Sequence, residues 1–141
     1  MESSLCVSYC KELQEGVHDL RTDVVKVALY TTADLDYTTT AYTTTNEVIG
    51  AGYSAGGVTT TLLSAPAVMG RAAAPDYADA AWTSSSFPVR QALWYNSTKA
   101  NRAIAVVTLP NTLTITNGPF TLQAPAFTES EAMLRIIAGN G

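Results

Sequence analysis

Apolar positions are densest between Arg90 and Pro110. Arg90-Gln91-Ala92-Leu93-Trp94-Tyr95 and Ala103-Ile104-Ala105-Val106-Val107-Thr108-Leu109 flank the polar, turn-forming stretch from Asn96 to Arg102. β-Branched and aromatic runs on either side of a short polar link predict a β-hairpin. The second arm is apolar almost without interruption, which suits a strand covered on both faces at the centre of a sheet.

Elsewhere the pattern divides the chain into shorter pieces. From Ser4 to about Gly16 the apolar residues Leu5, Cys6, Tyr9, Cys10, Leu13 and Val17 step by three and four, with Lys11, Glu12, Gln14 and Glu15 between them. That is an amphipathic helix, closed by Gly16, whose stripe must dock either on its own sheet or on a neighbouring subunit. Val24 to Tyr30 reads as the first strand, with Lys26 marking a wetter face. Thr31 to Thr45 is rich in threonine and offers little to bury except Tyr37 and Tyr42, so it reads as an exposed extended loop or edge segment. Strands follow at Val58–Leu63, from Val68, over Tyr77–Trp82 and at Ala132–Ile137, with a loop over Gly70–Pro75 and an irregular link over Thr83–Pro88. Asn117-Gly118-Pro119, between Leu113–Thr116 and Phe120–Gln123, is a strong turn signal, with Pro125 ending that arm. Gly139-Asn140-Gly141 reads as a frayed tail.

One helix and about eight to ten short strands at spacings of roughly 8–12 residues predict an all-β fold, an antiparallel β-sandwich. Jelly-roll connections are one option for it, and a closed barrel is the second architecture. With 141 residues the chain reads as a single domain, 1–141, with 1–20 as an N-terminal helical arm.

Composition narrows the function. Charged residues are 14% and apolar ones 47%, which excludes intrinsic disorder and gives a polar but weakly charged surface. A net charge of −4, a pI near 4.7 and scattered basic residues argue against a nucleic-acid partner. No run of about eighteen apolar residues predicts a membrane span. Met1-Glu2-Ser3-Ser4 has no basic region followed by an apolar core, so a cleaved secretory signal is not expected and cytoplasmic synthesis is the default.

Candidate chemistry is sparse. Cys6 and Cys10 share a helical face at a spacing poor for a disulfide, and the single histidine, His18, leaves a metal site short of ligands. Gly50-Ala51-Gly52-Tyr53-Ser54-Ala55-Gly56-Gly57 is glycine-rich but lacks the Lys-Ser or Lys-Thr of a phosphate loop, so it reads as a loop joining strands. Asp76 and Asp79 read as solvated loop acids, without a third acid or a histidine nearby in sequence. Asn96-Ser97-Thr98 fits the glycosylation acceptor pattern but is expected to be idle. Neither an enzyme nor a cofactor is expected.

The order of segments resembles a set of small structural proteins of tailed bacteriophages. The likeness rests on Lys11 to His18, Lys26 to Thr31, the Thr38 to Thr45 tract followed by Glu47-Val48, the glycine-rich Gly50 to Gly57, and Ala92-Leu93-Trp94-Tyr95-Asn96-Ser97. The resemblance implies a virion component, made in the host cytoplasm, of which a capsid decoration or cement protein is the leading kind. Its partner would be the major capsid protein of the same particle, and a dimer or trimer would let one unit bridge neighbouring subunits. The expected contact residues are Tyr9, Leu13 and Val17 on the helix face, Tyr37 and Tyr42 in the threonine loop, and Tyr53. A tail or head-tail accessory protein is the first alternative. A carbohydrate-binding module using Trp82, Trp94 and Tyr95 is the second.

Overall fold

The computed structural model describes residues 2–123 and 134–137. In chain order the elements are β1 (Glu2–Leu5), α1 (Val7–Gln14), β2 (Val25–Tyr30), β3 (Val58–Thr59), β4 (Leu62–Met69), β5 (Ala72–Tyr77), β6 (Ala80–Asn96), β7 (Arg102–Leu122) and β8 (Ile136–Ile137). They form a five-stranded sheet in the order β1-β7-β6-β2-β3 and a three-stranded sheet in the order β4-β5-β8, with every pairing antiparallel. This is the all-β, sandwich-like fold with one short helix that the apolar pattern predicts.

The expected hairpin is the spine of the larger sheet, and it is longer than its apolar runs. Asn96 pairs with Arg102 across a turn in which Ala100 and Asn101 take positive φ, and the ladder continues outward to Ala80 opposite Leu122. Thr83–Pro88, expected to be irregular, therefore lies inside β6. Asn117-Gly118, expected to reverse the chain, lies inside β7 instead. Asn117 has φ 46° and Ser84, in β6, φ 50°; Ser85 pairs with Gly118, and the register shifts on both sides of that pair. A turn-forming dipeptide has been absorbed as a bulge, because a bulge tolerates the same left-handed backbone that a tight turn requires.

Three other boundaries move. The helix starts at Val7 and not at Ser4, because Glu2–Leu5 pairs with Thr108–Ala105 of β7. It ends as expected: Gly16 takes φ 76°, Gly16 N–H donates to the Leu13 carbonyl and Val17 N–H to that of Glu12. The loop expected over Gly70–Pro75 shrinks to Gly70-Arg71, since β5 begins at Ala72; Val68-Met69 ends β4 where a new strand was expected. Of the strand expected over Ala132–Ile137, Ile136-Ile137 is strand, while Ala132 and Met133 lie outside the described residues, as do Pro125 and the Gly139–Gly141 tail.

One core cluster runs from Cys6 and Tyr9 through Val27, Leu29, Leu93, Trp94 and Ile104 to Tyr77 and Leu134 beside the smaller sheet. The helix thus docks on its own sheet, and Cys6 N–H donates to the Ile104 carbonyl. Beyond the end of β2, Tyr53 stacks on Trp82 and meets Phe87 edge-on, and Phe120 packs on both, so that these rings fill the space under the outer part of β6 and β7.

Candidate functional site

Two buried polar clusters fix the loops over the five-stranded sheet. The first centres on Glu47, which is buried. The Tyr42 hydroxyl donates to its Oε1 at 2.7 Å, and the Tyr53 hydroxyl (2.5 Å) and Gly56 N–H (2.7 Å) donate to its Oε2. Tyr42 stacks on Tyr95, whose hydroxyl donates to the Gly56 carbonyl. Burial, and then the hydrogen bond to Glu47, push both the Tyr42 and the Tyr53 hydroxyl well above the ordinary tyrosine range, so both stay protonated as donors. One carboxylate therefore ties the threonine loop and the glycine loop to the sheet. Glycine is required at Gly57, where φ is 77° and an added Cβ would overlap the Val27 carbonyl oxygen of β2.

The second cluster joins the helix to the β6–β7 turn. Asn96 Oδ1 accepts the Thr98 and Lys99 amides, so its NH₂ faces His18 Nδ1 at 2.9 Å and Asp23 Oδ2 at 2.7 Å. His18 Nδ1 is then an acceptor, and its Nε2–H donates to Glu12 at 2.9 Å, while Arg102 donates to the other Glu12 oxygen at 2.7 Å. Lys99 Nζ lies 2.9 Å from both oxygens of Asp23. Burial alone would raise the Glu12 and Asp23 carboxyls. The hydrogen bonds from His18 and Arg102 to Glu12, and from the Asp19 amide, Asn96 and Lys99 to Asp23, outweigh it and hold both below the ordinary carboxylate range.

These clusters use groups that sequence reasoning placed outside. Of the six expected contact residues, Tyr9 is buried with its ring edge-on to His18, and Tyr42 and Tyr53 are half-buried on Glu47. Leu13 and Val17 are half-buried. Leu13 lines a cavity of about 270 Å³ between the helix and the smaller sheet, with Tyr9, Leu20, Pro66, Pro75 and Leu134. Tyr37 alone of the six is mostly exposed, at 60%. It borders a groove of about 640 Å³ on the face of the larger sheet, beside Ser3, Ser4, Asp36, Gln91 and Thr108.

The remaining candidates are placed as follows. Trp82, Trp94 and Tyr95 are buried, so they present no ring face to a sugar. Asn96 is fully buried, and its amide is committed to His18 and Asp23, which leaves no acceptor for a glycan. Cys6 and Cys10 are free thiols, and burial pushes Cys6 up to about 12. The backbone of the glycine loop does bind an anion, but the anion is the chain's own Glu47.

The residues that reach outward are ones the sequence reading passed over. Ile49 is 92% exposed, Val68 81% and Leu63 61%, on the loop after the Glu47 cluster and on β4. On β7, Leu113 is 47% exposed, and its neighbours from Pro110 to Thr114 are also exposed. The period-two pattern of Thr112-Leu113-Thr114-Ile115-Thr116 was the available signal. No family model, curated protein or solved structure matches this chain.

Proposed function

We propose that this chain is a non-enzymatic structural protein of a tailed-phage virion that decorates and stabilises the capsid through protein–protein contacts. The observation that carries the reading is the distribution of exposed apolar side chains: Tyr37, Ile49, the β4 pair Leu63 and Val68, and Leu113 lie on four separate stretches of loop and strand. Apolar anchors presented on several stretches of a weakly charged body suit contact with several neighbouring subunits. The segment order that resembles small phage structural proteins supports the same reading. Binding only to the assembled shell would stabilise that shell by mass action.

Mixing the purified protein with shells that lack it tests the proposal. Co-sedimentation at a copy number near that of the coat protein is the expected result. Protein that stays in the supernatant, or that joins only tails at a dozen copies or fewer, would overturn it.

A further inference from the structure

Among the described residues, the outer half of β7 has an open edge. Its inner half is closed by β1 at Ala105–Thr108 and by the threonine loop, where Tyr42 N–H donates to the Asn101 carbonyl and Ala103 N–H to that of Thr40. From Leu109 outward no described residue pairs on that side. The usual safeguards of an edge strand are thin here: no charged residue occurs from Ala103 to Gln123, and only Pro110, Pro119 and the Asn117 bulge interrupt it.

The direction of the free hydrogen-bonding groups follows from Pro88. Pro88 stands opposite Thr114, and directly opposed residues in an antiparallel ladder exchange both bonds or neither. Pro88 has no N–H, so this is the pair without bonds, and Thr114 turns its N–H and C=O to the open side. The register shifts between Val89 and Gln91, where Leu109 to Thr112 stand opposite Arg90 alone, and again between Phe87 and Ser85, so the regular stretch of this edge is Leu113-Thr114-Ile115. Leu113 and Ile115, opposite the buried Val89 and Phe87, share the core face and lie at its uncovered margin.

We propose that this edge pairs with the same edge of a second copy of the chain, antiparallel, about a two-fold axis at Thr114. The occupant is specified by the segment itself: Asn111-Thr112-Leu113-Thr114-Ile115-Thr116-Asn117 reads nearly the same in both directions. In that register Thr114 meets Thr114 of the second copy, and Leu113 meets its Ile115. Threonine pairs with threonine on one face. On the other, the apolar row Val89, Leu113 continues into Ile115 and Phe87 of the second copy, covering the margin left open. Each chain carries a net charge of −4, yet no charged residue lies between Ala103 and Gln123, so two copies meet here without like charges opposed. The pairing does not depend on the virion assignment.

The experiment uses the full chain, whose mass of 14.9 kDa would double on pairing. Sedimentation of the wild type across a micromolar concentration series should show a monomer–dimer equilibrium. Hydrogen exchange should protect the Thr114 amide only as concentration rises, while those of Leu113 and Ile115, which face β6, are protected throughout. Thr114→Lys and Thr114→Glu each place like charges across the two-fold axis and should raise the dimer dissociation constant about tenfold or more. An equimolar mixture of the two should recover dimer, which a folding defect would not allow. A wild type that stays monomeric, a dimer that persists in both single variants, or protection that appears only with a different protein would overturn the proposal.

Discussion

The same two strands lead different lives at their two ends. Near the turn, Gln91–Asn96 of β6 and Ala103–Val107 of β7 are buried at every position, flanked by β2 and β1 and roofed by loops that Glu47 pins down. Farther out, β6 alternates between buried and exposed, and β7 from Pro110 to Asn117 is exposed at every position but Ile115. Strand pairing resumes in the outer half, but only after a register shift between Gln91 and Val89 that leaves Leu109 to Thr112 opposite Arg90 alone. Lateral neighbours differ as well: where β1 and β2 stop, one face and one edge return to water.

Truncating a side chain in each half should separate them most sharply. Leu93→Ala, at a fully buried position, should cost about 3–5 kcal/mol, and Leu113→Ala under about 1 kcal/mol, read by urea denaturation. Equal losses would mean that the outer ribbon is as firmly packed as the inner. Next comes the roof. Glu47→Ala leaves two buried or half-buried hydroxyls and the Gly56 amide without their acceptor, and should cost about 3 kcal/mol in the same assay.

Acid should act on the inner half first. Glu12 and Asp23 are held below their ordinary range in the folded chain, so their contribution is complete at neutral pH and is lost as pH falls below about 4, the unfolded carboxylate range. Thermal melts from pH 7 to 3 should be flat and then fall, and Glu12→Gln should weaken that fall. The smallest effect concerns β5 of the smaller sheet. The Tyr77 hydroxyl is buried without a hydrogen-bond partner among the described residues, so Tyr77→Phe should raise stability by about 1 kcal/mol.

How much of this the residues announced depended on how local the determinant was. Ala92 to Tyr95 and Ala103 to Val107 predicted the hairpin because their burial on both faces is written into an unbroken apolar run. Gly16 predicted the helix end for an equally local reason. Asn117-Gly118 misled because a turn signal describes backbone preference alone, and pairing with β6 decided whether that preference made a turn or a bulge. β1 was missed because Glu-Ser-Ser-Leu has no strand pattern; its structure comes from the edge of β7. Tyr42 and Tyr53 were candidate contact residues, with tucking back onto the domain the commoner use of a loop tyrosine; nothing in sequence shows that Glu47 would be what draws both hydroxyls inward. The edge of β7, by contrast, was visible in its alternating threonines.

The seating of β1 also sets an order of events. Leu5 pairs with Ala105, a hundred positions away, whereas the Glu47 cluster closes within Tyr42 to Gly56. Short loops close at lower entropic cost than long ones, so the clasp over the sheet can form while the far side still waits for its last strand. During synthesis the amino-terminal segment must remain unclaimed until β7 has emerged, and until then the sheet offers its whole flank to whatever extended chain arrives first.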